Sequence, residues 1–448
     1  MMTAMFFMSL IISLVKVRGN TYNYCMKKYC FWLLCGCLFC LCACRNQKKI
    51  NQKELLTHAR GQDALQYTKL VQQQKQQAVL DYIASLSLEE KIAQLFVVNI
   101  VGSSTFVPVE ENIAGGFLYF GYNIAQTPYE MLAFNQSVID YCREHGKIVP
   151  FMTVDQEGGY VNRLRSLNGP LPSAQRVSEN LNVEQAGKLY SLQAQQMKAL
   201  GFTMNLAPVA EVCTSDNEQF LDGRSFGKLK QVEQYGAACV LAYQANGIGT
   251  VLKHFPGNTN TDPHTGLPEI QWTKQELEVQ LDSFRALIEQ KPSAILMSHA
   301  RVAGYDEQSP ACLSYYWVTQ VLRNDFGYSG IIFSDDIFMG ALADNGYPPE
   351  VAVIAAIEAG IDCIMISEKR INDSVKVLCK KAEKDLEFEE KINQAVRHIF
   401  DYKIKCGFLS LALDDNGKYF VCPEYPELSD YGFEQAKEEN IKLYLENF

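Results

Sequence analysis

Short, strongly apolar runs recur along the chain and alternate with longer stretches of mixed polarity. The runs place Val, Ile and Phe on consecutive positions, a pattern typical of strands buried on both faces of a parallel sheet. Eight such runs are present: Ala93–Ile100, Gly116–Phe120, Ile148–Val154, Phe202–Val209, Gly249–Leu252, Ala294–Met297, Gly330–Phe333 and Asp362–Ile366.

The stretches between the runs predict helices. Pro128–Glu144 and Thr273–Glu289 are two examples, and Ser87-x-x-Glu90 has the spacing of a capping box ahead of the first run. Strands that alternate with helices in this number predict an α/β fold, a single (β/α)8 TIM-type barrel. An open doubly wound sheet is the alternative, but no Gly-x-Gly-x-x-Gly follows the first run.

Polar residues follow five of these runs, directly in four cases and at the end of a longer loop after the fourth run. Because the carboxyl ends of parallel strands meet at one end of a barrel, where such barrels carry their chemistry, we expect the clusters to form one site. Solvated loops and helix caps explain any single cluster but not their recurrence at the same end of successive strands. The clusters are Asp155-Gln156-Glu157 with Asn162-Arg163, Asp222-Gly223-Arg224, Lys253-His254, Ser298-His299 and Ser334-Asp335-Asp336.

The loop that follows the fifth run contains groups suited to proton transfer. Asp262 and His264 are two positions apart, so the carboxylate can orient the neighbouring imidazole. His254 lies in the same stretch, although the chain has only six histidines. The alternative is a surface loop with unrelated histidines.

Composition narrows the function classes. The chain has 448 residues, of which 48% are apolar and 21% charged, as in a globular protein. Its formal charge of -10 argues against nucleic acid as the main partner. Seven of the 15 cysteines lie between Cys25 and Cys44, and none of the other eight forms a Cys-x-x-Cys pair, so a zinc site is not expected.

Targeting features precede the predicted barrel. Met26-Lys27-Lys28 is a short basic segment, and Tyr29–Leu41 is an apolar run too short to span a bilayer as an ordinary helix. The run ends in Leu41-Cys42-Ala43-Cys44, which resembles the lipobox of bacterial lipoproteins. That resemblance implies lipidation of Cys44 and a membrane-anchored lipoprotein on the periplasmic or cell-surface side; an uncleaved anchor is the alternative.

These features divide the chain into predicted regions. We expect residue 26 to be the true start, so that 1–25 is a misassigned extension and 26–43 is the lipoprotein signal. In the acidic tail at the end we expect a strand at Tyr419–Val421 and a helix at Tyr431–Leu445. The regions are a targeting segment at 1–43, a Gln- and Lys-rich tether at 44–77, the barrel at 78–408 and the C-terminal tail at 409–448.

Three motifs together resemble glycoside hydrolase family 3, in its β-N-acetylhexosaminidase branch: Lys253-His254-Phe255-Pro256-Gly257, Asp262-x-His264 and Ser334-Asp335-Asp336. The resemblance covers roughly residues 80–405. It implies a retaining exo-β-N-acetylglucosaminidase that releases terminal β-linked N-acetylhexosamine from peptidoglycan fragments or other amino-sugar glycans, through a covalent glycosyl-enzyme intermediate. That reaction requires neither a metal nor an organic cofactor.

The resemblance also implies roles for individual residues. The family's nucleophile, the Asp after the seventh strand, falls on Asp335, and its general acid/base falls on His264 assisted by Asp262. Other branches take their acid from a Glu in a second domain, which we expect this chain to lack. The family's sugar-binding positions fall on Asp155, Arg163, Arg224, Lys253 and His254.

Around these motifs the sequence departs from the family pattern. Gly257-Asn258-Thr259 stands where Gly-His-Gly is usual, the loop that follows is shorter, and Pro263 replaces a common Ser. We expect Asp336 and His398 to be structural, whereas His299 is either a pocket residue or a core histidine.

Two alternatives to a hydrolase remain open. A phosphorylase would keep the same site but use phosphate instead of water as the acceptor. A non-catalytic amino-sugar-binding lipoprotein would use the pocket for capture alone. The presence of both Asp335 and His264 favours an enzyme, because binding needs neither a nucleophile nor a proton shuttle.

Overall fold

The computed structural model describes residues 64–261, 266–338, 340–366 and 370–448. The chain divides into two compact units, Met1–Gln73 and Gln74–Phe448. In the first unit residues 64–73 are helical, while the predicted targeting segment, Cys44 and the tether up to residue 63 lie outside the described residues. Among the helices that are described, none is both long and apolar enough to cross a bilayer.

The second unit is built around a barrel of parallel strands. They are β1 Phe96–Asn99, β2 Gly116–Tyr119, β3 Phe151–Val154, β4 Met204–Asn205, β5 Gly249–Phe255, β6 Ala294–Met297, β7 Ile331–Phe333 and β8 Ile364–Ile366. Each strand pairs with the next in chain order from β1 to β7, and β8 pairs with β1. Phe333 and Cys363 bridge the remaining seam, where the N–H of Ser334 donates to the carbonyl of Cys363 at 2.9 Å.

Each of the eight predicted runs overlaps one strand of the eight-stranded sheet, so the α/β barrel prediction is confirmed. The fifth boundary was wrong, because β5 continues to Phe255. Lys253 and His254 therefore lie inside the strand rather than after it, although both are polar. The first strand-helix unit is also incomplete, since the described segment 100–115 between β1 and β2 contains no helix.

Helices surround the strands, and the predicted capping boxes are present. Ser87 accepts a hydrogen bond from the N–H of Glu90 and returns one to its carboxylate, and Thr273 and Glu276 make the same exchange. The helices are α1 Leu88–Gln94, α2 Pro128–Glu144, α3 Ala174–Asn180, α4 Val183–Ala199, α5 Glu218–Leu221, α6 Leu229–Ala245, α7 Lys274–Ile288, the π-helix Tyr316–Asp325, α8 Gly340–Asp344, α9 Pro349–Ala359, α10 Ile371–Ala382 and α11 Leu386–Cys406.

The interior of the barrel is a packed core. Phe151 of β3 and Phe333 of β7 are fully buried and meet edge to face with ring centroids 6.1 Å apart. Gly116 of β2 makes room for this packing, because a Cβ there would lie 2.4 Å from the ring of Phe151. These contacts fill part of the interior of the barrel with side chains, as in other barrels of this type.

A hairpin and a helix follow the barrel. The hairpin consists of β9 Leu409–Leu413 and β10 Tyr419–Pro423, and the helix is α12 Phe433–Asn447. The expected strand at 419–421 is part of β10, and the expected helix corresponds to α12. Buried Asn440 of α12 joins it to α4, accepting hydrogen bonds from Gln193 at 2.5 Å and Gln196 at 3.2 Å.

Candidate active site

Lys253 is the centre of a buried ion-pair cluster at the C-terminal end of the barrel. Its Nζ lies 2.6 Å from Oδ1 of Asp155 and 2.6 Å from Oε1 of Glu157, and its side chain is 4% exposed. Arg224 adds a bidentate pair to the same Glu157, with Nε at 2.8 Å from Oε2 and Nη2 at 2.9 Å from Oε1. Charged side chains therefore join β5 to the segment after β3 and to the connection that follows β4.

The cluster stays charged at neutral pH. Burial opposes the charge of Glu157, but Lys253 and Arg224 outweigh it and lower the pKa of Glu157 to about 2. Burial also opposes the charge of Lys253, yet the carboxylates of Asp155 and Glu157 raise the pKa of Lys253 above its usual value. Fixed cations and carboxylates of this kind are suited to hold the hydroxyl groups of a sugar.

Glu211 fixes the orientation of His254. Oε1 of Glu211 lies 2.7 Å from Nδ1 of His254 and accepts its main-chain N–H at 3.3 Å. Because a carboxylate accepts, Nδ1 donates its proton to Glu211. Nε2 has no hydrogen-bond partner among the described residues. Oε2 of Glu211 accepts the N–H of Asn258 at 2.7 Å, so one buried carboxylate holds both the ring and the start of the next loop.

Phe220, in the loop after β4, forms an aromatic wall beside these groups. Its ring meets the ring of His254 edge-on with centroids 5.9 Å apart. The guanidinium of Arg224 lies 5.4 Å from the centroid of the same ring. Phe220 therefore contacts two of the predicted sugar-binding side chains.

Asp335 follows β7 and is ionised. Oδ1 accepts the N–H of Asp336 at 2.8 Å, whereas Oδ2 has no hydrogen-bond partner among the described residues. Burial opposes its charge, but His299, His254 and Lys253 lie close enough to lower the pKa of Asp335 below its usual value. A carboxylate that is charged and has one oxygen available meets the chemical requirement for a nucleophile.

His299 lies behind Asp335 and is fully buried. Its Nε2 is 3.1 Å from the carbonyl oxygen of Asp336, and its Nδ1 is 3.1 Å from Sγ of Cys312. The ring therefore supports the main chain next to Asp335, as a core histidine would. Oδ1 of Asp336 accepts the N–H of Phe338 at 3.0 Å, consistent with a structural role.

Not all predicted residues join the cluster. Arg163 donates its main-chain N–H to the carbonyl of Asp155 at 3.3 Å, but it makes no ion pair with the cluster within the described residues, and its buried Nε lacks a hydrogen-bond partner there. Asp262 and His264 lie outside the described residues. His398 is at the opposite end of the barrel, where its Nδ1 lies 2.7 Å from Asp362.

Sequence reasoning assigned no role to Glu157, Glu211 or Phe220. Glu157 was within a quoted cluster and Glu211 comes two residues after the fourth run, so both stood at the predicted site end. Position was the only signal, since a carboxylate that pairs with a buried cation looks like a solvated one in sequence. No group of three His, Cys, Asp or Glu side chains that could hold a metal ion occurs in the described part of the chain.

Comparison with known proteins assigns the family. Residues 87–402 match the Glycosyl hydrolase family 3 N terminal domain. The chain belongs to glycoside hydrolase family 3. It is therefore a glycosidase, as its motifs predicted.

Relatives and solved structures point to one branch. Beta-hexosaminidase LpqI of Mycobacterium tuberculosis is 31% identical over 288 residues, which cover 62% of this chain and 73% of the relative. The beta-hexosaminidase of Vibrio cholerae serotype O1 is 33% identical over 261 residues, covering 57% of this chain and 76% of the relative. The Beta-N-acetylhexosaminidase structure from Beutenbergia cavernae has a TM-score of 0.64 at 25% identity, covering 71% of this chain and 99% of that one. These names confirm the resemblance to the β-N-acetylhexosaminidase branch.

Proposed function

We propose that this chain is a retaining exo-β-N-acetylglucosaminidase that removes terminal β-linked N-acetylhexosamine from peptidoglycan fragments or other amino-sugar glycans. The observation that carries the proposal is Asp335, a buried carboxylate whose charge is stabilised by His299, His254 and Lys253 at the C-terminal end of the barrel. The names of the relatives support the amino sugar, and the ionised carboxylate supports a covalent intermediate.

The reaction proceeds in two displacements. Oδ2 of Asp335 attacks the anomeric carbon while the glycosidic bond breaks and His264 donates a proton to the leaving oxygen. His264, oriented by Asp262, then removes a proton from water, which attacks the same carbon and releases Asp335. Two inversions return the original anomeric configuration.

The ion-pair cluster holds the sugar during both steps. Lys253 and Arg224 donate to hydroxyl oxygens, while the Asp155 carboxylate, 17% exposed, accepts from a hydroxyl. Nε2 of His254 supplies a further hydrogen bond to the sugar, because Glu211 holds the ring at Nδ1. Groups already fixed by one another lose little freedom when the sugar binds, which favours a single orientation at Asp335.

Turnover of an aryl β-N-acetylglucosaminide beside the matching glucoside tests the proposal. We expect the N-acetylglucosaminide to be the far better substrate, with a β-configured first product by NMR. An α-configured product would contradict the retaining mechanism, and glucoside preference would contradict the amino-sugar assignment. Formation of a sugar 1-phosphate when phosphate is added would show a phosphorylase, and sugar binding without turnover would show a capture protein.

We also propose that Cys44 is lipidated and anchors the chain to a membrane on the periplasmic or cell-surface side. The lipobox-like Leu41-Cys42-Ala43-Cys44 supports this location. The native protein should fractionate with membranes and begin at Cys44, and Cys44→Ser should be free of lipid. A Cys44→Ser protein that still carried lipid would contradict the proposal.

A further inference from the structure

Tyr160 stands at the tip of a short hairpin that follows β3. The two arms of the hairpin are Gln156–Gly158 and Val161–Asn162. Gly158 has a φ of +107°, and a Cβ there would lie 2.1 Å from a carbonyl oxygen of a neighbouring segment, so this turn requires glycine. The main-chain oxygen of Tyr160 accepts a hydrogen bond from Arg165. The tip is therefore held in place, while Tyr160 itself remains 49% exposed.

The side chain of Tyr160 lies beside Arg224, one of the cations that we assign to sugar binding. The hydroxyl of Tyr160 is within hydrogen-bond reach of the guanidinium of Arg224. Burial raises the pKa of Tyr160, and the charge of Arg224 opposes that rise. The ring of Phe220 has its centroid 5.4 Å from the same guanidinium. Two aromatic side chains therefore adjoin a cation that Glu157 already holds in a bidentate pair.

Tyr160 and Asp335 lie on opposite sides of the mouth of the barrel. The hairpin follows β3 and Asp335 follows β7, and these two strands are four places apart in the order of the eight-stranded sheet. Phe151 of β3 and Phe333 of β7 meet across the interior with ring centroids 6.1 Å apart. A sugar whose anomeric carbon lies at Asp335 and whose hydroxyls reach Arg224 therefore extends away from β7 toward the hairpin.

The far side of such a sugar is defined by its chemistry, because oxygen 4 of a pyranose is attached across the ring from the anomeric carbon. We propose that Tyr160 is a specificity-determining residue whose ring closes the pocket beside oxygen 4 of the bound sugar. The site then takes an unsubstituted terminal N-acetylglucosamine and excludes a sugar whose oxygen 4 carries a further group. This inference rests on the proposed function, because it requires the anomeric carbon to lie at Asp335.

Tyr160→Ala tests the inference with two substrates, an aryl β-N-acetylglucosaminide and its 4-O-methyl derivative. The native enzyme should strongly prefer the first. In Tyr160→Ala the ratio of the two kcat/KM values should fall about tenfold, within the range expected for one methyl group against a pocket wall. On the unsubstituted substrate KM should rise while kcat stays close to native, because Tyr160 lies across the mouth from the reacting carbon. A merely structural role would lower kcat/KM on both substrates by the same factor.

Two variants control the measurement. Tyr160→Phe keeps the ring, so it should keep the native preference between the two substrates. Tyr122→Ala removes another tyrosine at the same end of the barrel, which is 69% exposed and whose hydroxyl accepts a hydrogen bond from Asn99 at 2.5 Å. This variant should keep the native preference and the native KM. If Tyr160→Ala does not fold, Tyr160→Leu, whose side chain is shorter than the ring, replaces it and should show the same change.

An unchanged preference in Tyr160→Ala would overturn the inference. So would a preference that falls as far in Tyr160→Phe or in Tyr122→Ala as in Tyr160→Ala. The native enzyme separates this failure from a failure of the proposed function. If it hydrolyses the unsubstituted substrate and rejects the 4-O-methyl derivative, and Tyr160→Ala does the same, only the role of Tyr160 is wrong. If the native enzyme accepts both substrates equally, the exo assignment is wrong as well.

Discussion

Two buried lysines lie at opposite ends of the same barrel and are stabilised by different partners. At the C-terminal end, Nζ of Lys253 is 2.6 Å from a carboxylate oxygen of Asp155 and 2.6 Å from one of Glu157. At the N-terminal end, fully buried Lys403 of α11 donates to the side-chain oxygen of Gln94 at 2.7 Å and to a main-chain carbonyl at 2.9 Å. The first lysine faces two anions, and the second faces neutral oxygens.

The pKa values of the two lysines move in opposite directions. Burial disfavours the charge of both, but carboxylates raise the pKa of Lys253, whereas burial lowers the pKa of Lys403 to about 7. The charge of the partner, rather than burial, therefore decides whether a lysine inside this protein remains a cation. The C-terminal end of the barrel therefore keeps its cation, while the N-terminal end holds an amine with a pKa of about 7.

The largest effect is expected at the site end from Asp335→Asn. Loss of the covalent nucleophile should reduce kcat on the order of a thousandfold or more, with thermal unfolding little changed. Asp336→Asn is the matched control, since Asp336 Oδ1 bonds the N–H of Phe338. Near-native activity in Asp335→Asn with a large loss in Asp336→Asn would place the nucleophile one residue later.

Lys253→Met should destabilise the protein and impair turnover. It leaves the carboxylates of Asp155 and Glu157 buried without their shared cation, which costs about 3–5 kcal/mol for a broken buried ion pair. Urea unfolding measures this loss. Lys403→Met is the control at the other end of the barrel. Two neutral oxygens lose their donor there, which should lower the free energy of unfolding by about 1–3 kcal/mol. The kcat/KM of this variant should stay native. Similar losses of stability and activity in both variants would contradict the comparison.

The dependence of stability on pH should also differ between the two ends. Because folding lowers the pKa of Lys403 from 10.5 to about 7, the unfolded chain binds the extra proton between these values. The contribution of Lys403 to the free energy of unfolding should therefore rise with pH in this window, by up to about 1.4 kcal/mol per unit. Folding raises the pKa of Lys253, so its effect on stability depends on pH in the opposite direction. The contribution of Lys253 to the free energy of unfolding is complete below pH 10.5 and declines above it.

Urea unfolding of the native protein and of Lys403→Met between about pH 7 and pH 9 measures the pH-dependent contribution of Lys403 to the free energy of unfolding. The stability difference between the two proteins should shift in favour of the native chain as pH rises. A difference that stays constant would show that Lys403 keeps its proton in the folded state.

Glu211→Gln should have the smallest effect. An amide has a single acceptor oxygen, so it accepts from either the ring of His254 or the N–H of Asn258 and no longer from both. We expect about a tenfold loss of kcat/KM, with thermal stability close to native. A native kcat/KM would mean that His254 needs no orientation by Glu211.

The barrel was predictable because burial on both faces leaves a local pattern. Runs such as Ile148–Val154 and Ala294–Met297 contain their strands, and Asp335 was singled out because it follows the seventh run within a motif that resembles the family's. The fifth boundary failed because Lys253 and His254 are polar yet lie within a strand, where their partners are distant in sequence.

The partners themselves could not be predicted. Glu157 meets Arg224 across 67 positions and Asn260 meets Gln219 across 41, so each pairing exists only after the strands are assembled. Lys403 carries no sequence mark that distinguishes it from Lys405 on the same helix. Whether a charge is paired, solvated or neutralised depends on tertiary contacts that spacing does not reveal.

Covalent capture of Asp335 tests the central claim most directly. The native enzyme would be inactivated with a fluorinated N-acetylglucosaminyl fluoride, which slows hydrolysis of the glycosyl ester, then digested and sequenced by mass spectrometry. The peptide containing Ser334-Asp335-Asp336 should carry one fluorinated N-acetylhexosaminyl group, located on Asp335. Inactivated enzyme with an unmodified Asp335, or with the sugar on another side chain, would contradict the account.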